Sequence, residues 1–152
     1  MTEDSAALDR IDREILGILR DDGRIGWGEL GARVHLSANA AADRVRKLLR
    51  RGVIRRFTVE VDQAALGRVL QAVIDVRADP ASDFGERVQH CDEVLWLAHV
   101  TGRTDYQVHV ACSGTEHLQR LLTRFREEFG ATETLTTVVL QSFRPRGTPL
   151  AR

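Results

Sequence analysis

Residues 37–57 read SANAAADRVRKLLRRGVIRRF, and this stretch decides the fold. It holds seven basic residues (Arg44, Arg46, Lys47, Arg50, Arg51, Arg55 and Arg56) against one acid, Asp43. The chain of 152 residues balances 22 basic against 22 acidic residues, so one short block carries about a third of the positive charge. A neutral chain with one concentrated cationic block suits a phosphate surface. A solvated helix face would show the same run in isolation, so the flanking pattern has to separate the two readings.

That pattern is helical on both sides of a short turn. Leu8, Ile11, Ile15, Ile18 and Leu19 make one apolar stripe, ended by Asp21, Asp22 and Gly23. A second short helix is predicted from about Trp27 to Val34, with Leu30 and Val34 at i, i+4. His35 and Leu36 form a tight turn, and Ser37 is a good N-cap for a third helix. The third helix buries Ala41, Val45 and Leu48, and Gly52 stops it. Three helices with a tight turn between the last two are the helix-turn-helix arrangement. Ala38, Asn39, Ala42, Asp43 and Arg46 are expected to face outward. Small residues at the first turn let the helix approach base edges, and Asn39 can bond adenine through N6 and N7. Residues 53–61 (VIRRFTVEV) alternate and are rich in β-branched residues, so a wing strand is expected there.

The remainder changes period. Residues 69–77 read as a strand, broken at Ala78, Asp79 and Pro80. Asp83 and Glu86 have capping-box spacing ahead of a helix carrying Phe84, Val88 and Cys91. Strands are expected at 93–101 and 104–112, joined through Gly102 and Arg103, which pairs His99 with Tyr106. Ser113 and Glu116 fit a full capping box for a helix striped by Leu118, Leu121, Leu122, Phe125 and Phe129, closed at Gly130. A last strand is expected over 134–143. The order β-α-β-β-α-β is the ferredoxin-like pattern. The chain is therefore α+β: a winged helix-turn-helix domain over 1–61, a hinge over 62–68, a ferredoxin-like domain over 69–144 and a loose tail over 145–152. Trp96 to Val100 and Val138 to Leu140 run apolar almost without interruption, so the sheet face away from the helices needs a cover. A second copy of the chain is the expected partner, giving a dimer through the second domain.

Composition narrows the rest. No apolar run approaches the roughly 18 residues needed to cross a bilayer, so no membrane partner is expected. The acidic start lacks a signal-peptide core, which places the chain in the cytosol. Cys91 and Cys112 have no metal-type spacing and are expected to be reduced, buried and inert. No pair among His35, His90, His99, His109 and His117 has metal-ligand spacing, and His99 and His109 should point to opposite sheet faces. Neither a metal nor a cofactor is expected. There is no phosphate-cradling glycine loop, no nucleophile elbow and no paired-carboxylate site, so the chain does not read as an enzyme. Asp105 follows a glycine turn at a strand start. It could accept a ligand ammonium while the 101–103 turn and Thr136 or Thr137 bind a carboxylate; a turn-stabilising Asp is the alternative.

Taken together, LDRIDREIL (8–16), DGRI (22–25), EL (29–30), LS (36–37), RVRKL (44–48), GVI (52–54), VTGRTDY (100–106) and TTVVL (136–140) resemble the Lrp/AsnC family of bacterial and archaeal transcription regulators. The resemblance runs from about Leu8 to Arg144. It implies a winged helix-turn-helix joined to an amino-acid-sensing ferredoxin-like domain, and dimers that assemble further, to tetramers or octamers. With the basic block and the outward face of the third helix, DNA contacts are expected at Ser37, Ala38, Asn39, Ala42, Asp43, Arg44, Arg46, Lys47, Arg50, Arg51 and Arg55. The resemblance favours the ligand-binding reading of the Asp105 turn, so an amino acid effector is expected at His99, Thr101, Gly102, Arg103, Asp105, Thr136 and Thr137. Four positions depart from the family pattern: His35 stands for a usual Gly, Gly31 for a usual Ala, Leu49 for a common Glu and Ala41 for a larger apolar residue. The expected function is a sequence-specific DNA-binding regulator whose assembly and DNA affinity respond to an amino acid. The alternatives are an effector-independent DNA-compacting protein and a small-molecule enzyme built on the ferredoxin-like domain.

Overall fold

The computed structural model describes residues 7–143, and the expected tail over 145–152 lies outside them. The chain divides into two compact units, one running to Val59 together with Phe143, the other spanning Glu60–Ser142.

The first unit holds α1 (Arg10–Asp21), α2 (Trp27–Arg33) and α3 (Ala38–Arg50). Asp9 caps α1, its carboxylate accepting the Asp12 N–H at 2.7 Å. Ser37 caps α3 by accepting the Ala40 N–H at 3.2 Å. At the other end of α3, Gly52 takes φ 69°, its N–H donates to Leu49 O, and Val53 N–H donates to Leu48 O. That is a Schellman stop, which the sequence marked with Gly52. Ile15, Leu30, Val34, Ala41, Val45 and Leu48 form the core, and burying each larger aliphatic side chain contributes about 1.5–3 kcal/mol. Residues 53–61 form no strand, contrary to the wing expectation. Val59 is 77 % exposed, and β-branched alternation does not make a strand without a neighbour to pair with.

The second unit contains β1 (Leu70–Ala78), α4 (Phe84–Val88), β2 (Val94–His99), β3 (Tyr106–Cys112), α5 (Thr115–Glu127) and β4 (Ala131–Val138), preceded by a 3-10 turn over Ala64–Leu66. The antiparallel sheet has the order β2-β3-β1-β4, the ferredoxin-like arrangement. Ala72, Ile74, Val76, Val108 and Val110 pack against Phe84, Val88, Leu118, Leu121 and Phe125. His99 pairs with Tyr106 as expected, although the strands stop there and residues 100–105 form a longer connection than the two-residue turn expected. His109 pairs with Trp96, three positions along β3, so His99 and His109 do fall on opposite faces.

Three local expectations fail. Asp83 makes no side-chain cap on α4. Ser113 makes no cap on α5; Gly114 holds that position, and Ser113 instead meets His117 Nδ1 through both its backbone N–H and its hydroxyl, each at 3.2 Å. β4 begins three residues early, because Gly130 at φ 83° turns the chain directly out of α5 into Ala131.

The sheet face away from the helices is also less apolar than expected. His109 Nε2 meets Gln71 Oε1 at 3.1 Å, and the Gln107 amide donates to Asp75 at 3.0 Å. Trp96 and Leu135 remain 50 % and 66 % exposed beside these polar pairs.

Candidate nucleic-acid interface and ligand cavity

The helix-turn-helix is tight because two backbones touch. Leu36 N–H donates to Gly31 O at 2.8 Å, and His35 takes φ 57° to make the turn. The sequence flagged both positions as departures; the geometry gives each a physical role.

Beyond the turn, α3 divides into two faces. Ala38, Asn39, Asp43, Arg46, Lys47 and Arg50 are exposed, as are Arg55 and Arg56 after the stop, while Arg51 is half-buried. Ala42 is 3 % exposed, against the expectation that it faces outward. It lies one position from Ala41 and three from Val45, so it sits on the margin of the buried stripe. Arg46 is ion-paired with Asp43 one turn earlier on the same helix. Arg44 turns away from the outer face: its Nη1 donates to Asp9 Oδ2 at 2.6 Å and to Asp12 Oδ1 at 2.7 Å. These hydrogen bonds, Asp9 first, raise the guanidinium further above its ordinary pKa. Asp9 is held below the usual carboxylate range by the Asp12 backbone N–H and then by Arg44. Among the described residues, Lys47, Arg50, Arg55 and Arg56 make no ion pair.

In the second unit, a cavity of about 490 Å³ opens among Asp75, Arg77, Arg103, Thr104, Glu133 and Leu135. Of the residues marked in the sequence as effector contacts, only Arg103 lines it. Asp105 is occupied differently. Its N–H donates to Val76 O at 2.9 Å, and its Oδ2 accepts the Ala78 N–H at 3.0 Å. The carboxylate thus ties the β2–β3 turn to the end of β1. Thr101 and Gly102 are exposed in that turn, with Gly102 at φ 131°. His99 stacks on Tyr106 at 4.8 Å between ring centroids. Thr136 pairs with Ile74 and Thr137 with Val73, so the two threonines point to opposite faces and do not act together. Asp75 and Arg77 alternate with buried Ile74 and Val76, a signal the sequence carried; the β4 register that adds Glu133 and Leu135 was not legible.

Glu93 anchors a further polar cluster, with His117 Nε2 at 2.9 Å and Arg124 at 3.8 Å. Burial pushes its carboxyl up, but the His117 hydrogen bond and the Arg124 charge outweigh this, and it sits below the usual range. Cys91 and Cys112 are buried free thiols, and burial raises both. Among the described residues no group of three metal-ligating side chains gathers, and no helix is long and apolar enough to cross a membrane.

Comparison with known proteins matches the same two regions. Residues 8–49 match the AsnC-type helix-turn-helix domain, and residues 71–149 match the Lrp/AsnC ligand binding domain. The chain is 34 % identical over 140 residues to the HTH-type transcriptional regulator LrpA of Mycobacterium tuberculosis, covering 90 % of this chain and 93 % of that one. Among solved structures, a transcriptional regulator of Neisseria meningitidis in complex with L-Met superposes with a TM-score of 0.86 at 28 % identity, covering 94 % and 97 % of the two chains. Bacillus subtilis LrpC superposes with a TM-score of 0.82 at 25 % identity, covering 90 % and 97 %.

Proposed function

The chain belongs to the Lrp/AsnC family of transcriptional regulators, and from that premise we propose that it binds specific DNA through α3 and adjusts that binding to an amino acid. The observation that carries the DNA half is the division of α3: its inner face is locked into the core while Asn39, Lys47 and Arg50 stand exposed beyond a tight turn. A helix presented this way fits the major groove, with cations on phosphates and a short amide at base edges. This work is done where the chromosome is, in the cytoplasm.

The effector half rests on the ligand-binding domain match, the L-Met complex of the Neisseria relative and the mixed lining of the 490 Å³ cavity. A zwitterion needs a cation for its carboxylate and an anion for its ammonium. Arg103 makes no ion pair, and Asp75 uses one oxygen on Gln107, which leaves both able to serve. Self-association goes with this reading, since Trp96 and Leu135 lie exposed on the face without helices. Dimers built on that face bring two helix-turn-helix units to one duplex, and further assembly to tetramers or octamers extends the same logic. The protein acts by binding and not by turnover.

Competition between duplex from the chain's own upstream region and random duplex tests the reading. A regulator prefers its own site by about 10³-fold or more, whereas a DNA-compacting protein shows little preference. Equal affinity for both duplexes at every salt concentration would overturn specific regulation.

A further inference from the structure

Arg44 stands in the middle of the basic run on α3, where a phosphate contact would be assumed, yet its guanidinium is ion-paired within the fold. One nitrogen, Nη1, holds Asp9 Oδ2 at 2.6 Å and Asp12 Oδ1 at 2.7 Å, residues 35 and 32 positions earlier. Asp9 is the N-cap of α1, and Asp12 is the one charged side chain buried among the described residues, 7 % exposed. The Arg44 side chain is only 34 % exposed. On the helix it falls three residues after Ala41 and four before Leu48, at the edge of the buried face and well round the helix from Asn39, one turn before Lys47, with which it lines a common cavity.

Resting on the reading of α3 as the recognition helix, we propose that Arg44 is a positioning residue for DNA binding. It clamps α3 to the capped start of α1 through Asp9 and Asp12, and so fixes how Asn39, Lys47 and Arg50 are presented. Asp9, Asp12 and Arg44 together carry a net charge of −1, so Arg44 adds no net positive charge of its own beside Lys47 and Arg50. Withdrawing Arg44 towards DNA would strand a buried Asp12 carboxylate without its partner, an arrangement proteins avoid. The charge count of the basic run therefore overstates its DNA-facing charge. Arg44 serves the fold, Arg46 is offset by Asp43, and Lys47, Arg50, Arg55 and Arg56 remain.

The sign of one substitution separates the clamp from a phosphate contact. If Arg44 bound phosphate, Asp12→Asn would release it from a competitor and tighten DNA binding. If Arg44 is a clamp, Asp12→Asn loosens α3 and weakens binding, although an acid has been removed near a polyanion. Anisotropy titrations of the full chain with its upstream duplex, at several salt concentrations, read this out. Asp12→Asn and Arg44→Met are each expected to lower affinity about tenfold while leaving the salt slope at the wild-type value. Arg44→Lys should recover most of the loss. The double variant should bind no more weakly than Arg44→Met, because one interaction is lost only once. Lys47→Ala, as the phosphate control, should lower the slope by about one unit. Unchanged or tighter binding by Asp12→Asn, or a slope lowered by about one in Arg44→Met, would overturn the clamp and leave α3 as the DNA helix. If Lys47→Ala matches wild type in both affinity and slope, the reading of α3 itself fails, and the clamp proposal falls with it. Should Arg44→Met fail to fold, Asp12→Asn and Arg44→Lys carry the same decision.

Discussion

Gly31 and Leu36 touch through their backbones: the Leu36 N–H donates to Gly31 O at 2.8 Å, and a Cβ on Gly31 would stand 2.6 Å from the Leu36 carbonyl oxygen. Glycine inside a helix is less stable than alanine by about 1 kcal/mol, so propensity alone favours Gly31→Ala. The close approach reverses the sign. Ser37 backbone atoms lie at 3.1 Å as well, and backbone cannot swing aside as a side chain can. We expect Gly31→Ala to destabilise the first unit by about 1–3 kcal/mol, seen as a lower Tm by calorimetry. His35→Gly should act oppositely. His35 sits at φ 57°, a region about 1–2 kcal/mol unfavourable for residues with a Cβ, partly offset by the greater unfolded-state freedom of glycine. A small rise in Tm is expected, and His35→Val should lower it.

Stability should fall with acid in two windows. Burial lowers the His109 imidazole below its ordinary value, so the unfolded chain binds a proton first and stability drops as pH falls below about 6.5. Asp9 is lowered by the Asp12 N–H and Arg44, so its contribution is present above about pH 3.9 and lost as pH falls through its depressed folded value. Thermal melts between pH 3 and 8 should show both. His109→Gln should remove the upper window and leave the lower one, and Asp9→Asn should do the reverse.

Assembly depends on the sheet face that carries Trp96. At 50 % exposure, paired beside His109, it offers a broad apolar surface on that face. Trp96→Asp is expected to shift the full chain to monomer in sedimentation at micromolar concentration, with its circular dichroism unchanged. An unaltered oligomer would move the interface elsewhere.

Arg103 and Asp105 should separate cleanly. Asp105 holds the Ala78 N–H, so Asp105→Ala is expected to lower the ligand-free Tm. Arg103 lines the cavity and has no ion-pair partner, so Arg103→Ala should leave the ligand-free Tm unchanged and weaken amino acid binding at least about tenfold. Calorimetric titration with whichever amino acid raises the wild-type Tm distinguishes the two.

What the sequence disclosed followed local physics. Ser37 and Gly52 bracket α3 because a hydroxyl cap and a left-handed glycine act within one turn of chain. The His99–Tyr106 pairing followed from centring the hairpin on Gly102 and Arg103, although the connection itself is longer than two residues. What stayed hidden depended on distant partners. Ser113 spacing matched a capping box, but His117, held by Glu93 twenty-four residues away, took the hydroxyl instead. Asp105 could be read as a ligand acceptor or a turn-stabilising residue, and only the distant Ala78 N–H on β1 shows the carboxylate tied into the fold. Residues 53–61 had the composition of a strand and no neighbour to pair with. Arg44 read as one more surface cation, since nothing in its local spacing pointed to Asp9 and Asp12.

Regulation by an amino acid requires ligand binding and DNA binding to be coupled in one chain. A thermal-shift screen of the twenty amino acids identifies the ligand, which at 100 times its Kd should stabilise the fold by about 2.7 kcal/mol. DNA affinity for the upstream duplex is then measured with and without that amino acid at saturation. A change of about 5- to 150-fold is expected, with a matching change in amino acid affinity when DNA is bound. Identical DNA affinity in both conditions would rule out control of DNA binding by the amino acid.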